Sequence, residues 1–231
     1  MVAAIPSDAL MRLPAIANNL QYLHTSLGRD RLLRLTQFCA CFYAWVLSKS
    51  KLAPGDSITW KLLSEKTAHV RRMSRLGRNI QFFDRAIRTL IAKNECSFIR
   101  YTTLGHHLGL AAFLSWDALV ALDTLAIYKL KSVKNAQRAA ARSWLAAILC
   151  NIIAQVYKLS NLQHQEQRDE ENDQRNHLTM ERKVCQLRLV SALCDLTICT
   201  RSLGTIKVND GVVGICGILS SIVGAWISRK A

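Results

Sequence analysis

The residues from Ser64 to Asn94, SEKTAHVRRMSRLGRNIQFFDRAIRTLIAKN, join a continuous apolar stripe to a row of arginines, and few folds accommodate both. At about 100° per residue, Met73, Leu76, Ile80, Phe83, Ile87 and Leu90 recur at alternating threes and fours, the period of one helix face. Arg71, Arg75, Arg78, Arg85 and Lys93 fall opposite, with Arg72 and Arg88 on the flanks and Asp84 near the apolar edge. The pattern predicts an amphipathic basic helix over 64–94. Such a helix has two destinations. Its stripe can pack into the protein's own helical core with the arginines as a solvated rim, or it can lie in a lipid surface with arginines at the phosphates. Six large apolar side chains, at about 1.5–3 kcal/mol each when fully buried, outweigh arginines at about 1 kcal/mol apiece near an anionic surface. Charge would steer this helix and burial would hold it. Gly77, in mid-pattern, weakens it by about 1 kcal/mol relative to alanine.

The rest of the chain is written in the same helical grammar. Only 3 prolines and 10 glycines occur in 231 residues, which predicts an all-α protein, membrane-associated through this helix and a C-terminal apolar segment. The net charge is +15, and residues 1–103 hold 16 basic against 6 acidic side chains, so the surplus belongs mainly to the half that contains the amphipathic helix. Ser7-Asp8 can cap a first helix, interrupted by Pro14 and continued through Ile16, Leu20 and Leu23 to a stop at Gly28. Arg29 to Ser48 reads as a second helix, with Leu32, Leu35, Cys39, Phe42 and Val46 on one face, and Pro54-Gly55 marks a turn.

Leu104 to Tyr128 is apolar on average but carries His106, His107, Asp117 and Asp123, which argues against an unassisted membrane span. Its two acids lie six apart on poorly matched faces and do not form an acid/base pair. Trp144 to Tyr157 reads as an apolar helix too short to span alone. Residues 163–183 hold six acids and four bases with almost no apolar content, a solvated linker or an exposed helical extension. Val184 to Leu203 is a further helix, and Gly211 to Ile227 runs seventeen residues without a charge before Arg229-Lys230. This last segment is the best span candidate, slightly short of the roughly 20 residues a bilayer wants. Gly217, Ser221 and Ala225, with Gly214, Ser220 and Gly224, form a small-residue face that would let helices approach closely in lipid. The alternative for it is a glycine-rich buried helix. The divisions are thus 1–103, 104–162, 163–183 and 184–231.

No Gly-rich phosphate loop, H-E-x-x-H, G-x-S-x-G or dinucleotide fingerprint occurs, so no catalytic role and no cofactor is expected. The 8 cysteines sit in apolar helical pattern without any C-x-x-C pair and read as reduced; no secretory leader is expected, and no metal site. The basic helix has no aromatic stacking set or zinc module, and DNA offers its apolar stripe nothing to bury into, so nucleic acid is not an expected partner.

Three ordered blocks resemble one known family. GRDRLLRLTQF (28–38), VRRMSRLGRNIQ (70–81) and GVVGICGILSSIVGAW (211–226) are similar to the N-terminal, amphipathic and C-terminal blocks of the peroxin eleven family of peroxisomal membrane proteins, with AFLSWDALVAL (112–122) a weaker fourth. The resemblance implies a peroxisomal membrane protein, not an enzyme, that elongates and proliferates peroxisomes by inserting the amphipathic helix into the cytosolic leaflet. It implies lipid contact by Arg71, Arg72, Arg75, Arg78, Met73, Leu76, Ile80 and Phe83, to which the helical pattern adds Arg85 and Ile87. It further implies an anionic phospholipid membrane as partner, self-association into a homo-oligomer, and a link to a dynamin-related GTPase and its fission adaptors. Gly28 to Val46 and the face of Gly214, Gly217, Ser221 and Gly224 are the candidate contacts between copies. Two other readings remain open at this point: a pore for small metabolites lined in part by Asp117 and Asp123, and a soluble basic helical adaptor.

Overall fold

A computed structural model describes residues 24–50, 54–92, 96–166 and 172–230, and every regular element among them is an α-helix. In chain order these are α1 (Ser26–Ser50), α2 (Pro54–Ser74), α3 (Arg78–Ile91), α4 (Ser97–Thr124), α5 (Val133–Glu166), α6 (Asn172–Leu203) and α7 (Asp210–Lys230). The expected helix before Gly28 lies outside the described residues up to Leu23. Gly28 itself does not stop a helix. It sits buried in the first turn of α1, its N–H donating to Thr25 Oγ1 at 3.0 Å, so the cap is Thr25 and the helix begins three residues earlier than the pattern suggested. Pro54 opens α2, the position where a missing N–H costs least.

The expected single helix over 64–94 is two helices. Met73, Leu76 and Arg75 pass through a tightened turn, with Leu76 N–H donating to the Met73 carbonyl at 3.2 Å, and Gly77 then takes φ 81°. A left-handed residue with no Cβ redirects the chain at small cost, and α3 departs on a new axis. Further on, Ala126 adopts φ 58° in the turn after α4, where Asp123 accepts from the Leu130 N–H at 2.8 Å and closes the loop. α5 is longer than expected. It runs 34 residues, and the polar stretch after Tyr157 continues it to Glu166 before α6 starts at Asn172. Among the described residues, two helices are long and apolar enough to cross a membrane, over Val133–His164 and Asp210–Arg229. Trp144–Tyr157 is therefore the middle of a span-length helix rather than a short one, while α4 stays outside that pair.

The helices pack as a ring. Successive neighbours run α2, α1, α7, α6, α5, α4, α3, and the ring closes where α2 meets α4. Two seams are close because side chains have been removed from them. A Cβ on Gly109 of α4 would lie 2.8 Å from the Ala147 Cβ of α5. A Cβ on Gly217 of α7 would lie 2.0 Å from Phe38 Cγ of α1, whose ring occupies the space. Gly211, Gly214 and Gly224 face Trp45, Phe42 and Arg31 of α1 in the same way, and Ser221 is buried beside them. The small-residue face and α1, each read from sequence as a contact between copies, are thus each other's partner within one chain.

Two predictions follow from these seams. Gly217→Ala is expected to lower stability by about 1–3 kcal/mol through overpacking, and a Phe38→Ala/Gly217→Ala pair to lose less than the sum of the two single replacements, read by denaturation in detergent. Gly77→Ala, with open space around it, is expected to cost about 1–2 kcal/mol from the left-handed backbone alone.

Candidate functional site

The ring turns a group of arginines and aspartates inward and leaves many large apolar side chains on its outside. On α3, Ile80 is 70% exposed and Ile87 57%, with Phe83, Leu90 and Ile91 also exposed, while the buried residue of this helix is Ala86. Leu76 at the joint is exposed and Met73 half-buried. The apolar stripe read from sequence therefore exists as a surface, on the outside of the protein. On α7 the outward residues Val212, Ile215, Leu219, Ile222 and Trp226 recur at threes and fours, opposite the small-residue face packed on α1. Leu149, Ile153 and Val156 do the same on α5. Exposed apolar patches of this extent mark a surface that another apolar phase covers.

The arginines go the other way. Arg71 Nε donates to Asp30 Oδ1 at 3.2 Å and Arg78 Nη1 to Asp30 Oδ2 at 3.1 Å, so one α1 carboxylate holds both sides of the Gly77 joint. Arg72 Nε and Arg75 Nη2 donate to the two oxygens of Asp117 on α4, at 2.8 and 2.7 Å. Arg71 also reaches Gln37 Oε1 at 2.6 Å. Burial pushes Asp30 upward, but the Arg71, Arg75 and Arg78 charges prevail and hold its carboxyl below the ordinary 3.8. Burial pushes Arg71 down to about 9, with Asp30 opposing and the Arg75 and Arg34 charges adding to the fall, so it remains a cation at neutral pH. A third acid, Asp195 of α6, accepts from Arg34 of α1 and from Ser220 Oγ of α7 at 2.6 Å, tying three helices together.

This corrects the lipid-contact assignment. Arg71, Arg72, Arg75 and Arg78 have side chains only 10–23% exposed and are engaged with protein carboxylates, so they do not form a headgroup-facing row. The physical reason is that Asp30 and Asp117, forty or more residues away in sequence, accept them. What remains beside the apolar stripe is Arg85, stacked over the Phe82 ring at 5.2 Å, and Arg88, 78% exposed and paired with Asp84 on the same helix at 2.8 Å. Asp117, expected in a bundle or at solvent, is buried and paired, and Asp123 serves a turn. Asp30 and Asp117 lie inside the blocks GRDRLLRLTQF and AFLSWDALVAL, but no local pattern marks them or Asp195 as the acceptors of these arginines.

All seven helices line a central cavity of about 1070 Å³. Its wall carries the paired arginines together with His106, whose Nδ1 lies 2.9 Å from the Ala147 carbonyl, and His107, which burial, then His106 and Arg85, push down to about 4. Both imidazoles are uncharged at neutral pH. A second, smaller apolar recess of about 350 Å³ lies between α1, α2 and α7, at Cys39, Phe42, Tyr43, Trp60 and Ile218.

Known proteins resemble the chain along most of its length. The family model described as Peroxisomal biogenesis factor 11 (PEX11) matches residues 16–227. Peroxisomal membrane protein PMP27 of Saccharomyces cerevisiae is 24% identical, over 97% of this chain and 98% of its own. Peroxisomal membrane protein PMP30B of Candida boidinii is 23% identical, over 94% and 96% respectively. The peroxisomal membrane protein 11 homolog of Dictyostelium discoideum is 21% identical, over 86% and 88%. No solved structure matches.

Removal of one anchor tests the inward pairing. Asp30→Asn leaves two buried guanidinium groups without their carboxylate and is expected to cost about 3–5 kcal/mol, read by chemical denaturation in detergent. Because the folded carboxyl titrates below its unfolded value, its contribution is complete above the ordinary carboxylate range and is lost as pH falls through the lower, folded value. The wild type is expected to lose stability relative to Asp30→Asn only below pH about 4.

Proposed function

We propose that this chain, which belongs to the peroxisomal biogenesis factor 11 family, bends and elongates the membrane in which it resides. It is a peroxisomal membrane protein, as its relatives are named. The observation that carries the proposal is the outward stripe of Leu76, Ile80, Phe83, Ile87 and Leu90 on and before α3, exposed beside Arg85 and Arg88. Moving the exposed part of those side chains into hydrocarbon gains on the order of 5 kcal/mol, enough to seat a short helix at the headgroup boundary. A helix seated in one leaflet expands that leaflet relative to the other, and many aligned copies favour curvature. The arginines engaged with Asp30 and Asp117 act differently in this reading. They hold α3 at a set angle to the body, so that α7 and α5 in the bilayer and α3 at its surface form one unit. Self-association supplies the alignment, and scission of the drawn-out membrane falls to a dynamin-related GTPase with its adaptors. The protein itself works without catalysis.

The central cavity favours one second reading, a pore for small metabolites, since a charged interior surrounded by apolar faces is what such a pore needs. Planar-bilayer recordings of the purified protein separate the two, because the curvature reading expects no conductance.

The main test is a Leu76→Glu/Phe83→Glu variant, reconstituted at wild-type levels and checked for helicity by circular dichroism. Tubulation of anionic liposomes is expected to fall at least about tenfold, as two apolar anchors become charges. Undiminished tubulation by the variant refutes the wedge.

A further inference from the structure

The cavity wall carries eleven cationic side chains against three carboxylates. Arg31 has an interaction of its own, and for the other cations the ion pairs among the described residues do not absorb the surplus. Asp30 is shared by Arg71 and Arg78, Asp117 by Arg72 and Arg75, and Asp195 is engaged by Arg34, so each carboxylate is already committed. Arg85, Lys134, Arg138 and Arg188 are exposed, but like charge concentrated around one cavity is still self-repelling. Donors are left over as well. The Nε–H groups of Arg34 and Arg75 are buried without a hydrogen-bond partner, and both residues face this cavity. A buried guanidinium N–H without an acceptor carries its full desolvation penalty, and a tetrahedral oxyanion is the acceptor that matches its fork. The rim adds Lys134 and Arg138 from the first turns of α5, exposed and without a carboxylate partner among the described residues. A space of about 1070 Å³ is far larger than a single ion requires.

We propose that the central cavity is a binding site for a phosphate-bearing anion, held by Arg34 and Arg75 in the interior and met at the rim by Lys134 and Arg138. The phosphate is either that of a soluble phospho-compound or that of a lipid headgroup drawn between the helices. In both cases the anion offsets the surplus and satisfies donors that the protein leaves open, and it thereby clamps α1 and α5 to the Gly77 joint. The site is separate from the outward stripe of α3, so its occupancy does not depend on the curvature reading.

The test uses the full chain in nanodiscs of phosphatidylcholine, titrated with pyrophosphate at fixed ionic strength and, in a parallel arm, assembled with and without phosphatidic acid at neutral headgroup background. Each arm reads thermal unfolding, and the pyrophosphate arm also reads calorimetric stoichiometry. Saturable stabilisation by pyrophosphate at one equivalent assigns a soluble phosphate; stabilisation by phosphatidic acid alone assigns a headgroup. Arg34→Gln/Arg75→Gln is expected to weaken binding at least about tenfold. Since Arg34 and Arg75 also hold Asp195 and Asp117, Lys134→Gln/Arg138→Gln provides a variant whose fold is not at stake, with an expected loss of about threefold to tenfold. Stabilisation no larger than that from equal ionic strength of sodium chloride in both arms overturns the proposal. So does an affinity that the rim variant leaves unchanged. A Leu76→Glu/Phe83→Glu protein that loses tubulation yet binds pyrophosphate normally shows the two functions failing separately.

Discussion

Two carboxylates hold the architecture in register. Asp30 on α1 and Asp117 on α4 each accept two arginines from the short stretch around Gly77, and that stretch is where the ring of helices closes. Buried ion pairs of this kind contribute less to net stability than to geometry, because desolvating both partners offsets much of their attraction. Their consequence here is angular. With Arg71 and Arg72 on one side of the joint and Arg75 and Arg78 within or beyond it, the direction in which α3 leaves the body follows from which carboxylate each reaches. A helix held in this way can present an apolar stripe outward without collapsing onto its own core.

The same constraint accounts for the distribution of polarity. Once four arginines and their acids face inward, the interior of the ring is mixed, its charges sharing the cavity wall with Phe38, Leu114, Val120 and Ile148 rather than leaving a purely hydrophobic core. Much of the apolar burial is of small residues at the seams, Ala111, Ala121, Ala147 and Ala154 between helices and the glycines and serines of α7 against α1, with Phe38, Leu114, Val120 and Ile148 the large side chains buried among them. Many other large side chains are left outside, where lipid rather than protein can cover them. A peroxisomal membrane protein solves its solvation problem in that arrangement, with the bilayer as the missing half of its core.

α7 shows how one helix serves both demands. Its small residues carry no side chain that would keep α1 at a distance, so the backbones approach and dispersion along the seam replaces hydrophobic transfer, which lipid does not reward. Its opposite face, from Val212 to Ile222, is exposed and open to acyl chains. A segment of this pattern viewed alone is equally a dimerisation motif. The presence of Phe38 and Phe42 on α1, at positions where only glycine leaves room, settles its partner as intramolecular.

Periodicity and composition by themselves determined a good deal. They establish an all-α chain, the apolar stripe from Met73 to Leu90, the span-length segment near the C-terminus, and the ordered blocks that mark the family. These are local properties, set by spacing of three and four and by the rarity of proline. Only the tertiary structure decided where the arginines point, that Gly77 breaks one amphipathic helix into two, that Trp144–Tyr157 belongs to a helix of 34 residues, and that the small-residue face meets α1. The physical reason is common to all of them. A guanidinium opposite an apolar stripe has the same helical period whether a phosphate or a distant aspartate accepts it, and a glycine has the same local pattern whether it lets in another copy or Phe38. Period reports which side of a helix is polar; the acceptor on the other side is a long-range contact, and it exists only once the chain has folded.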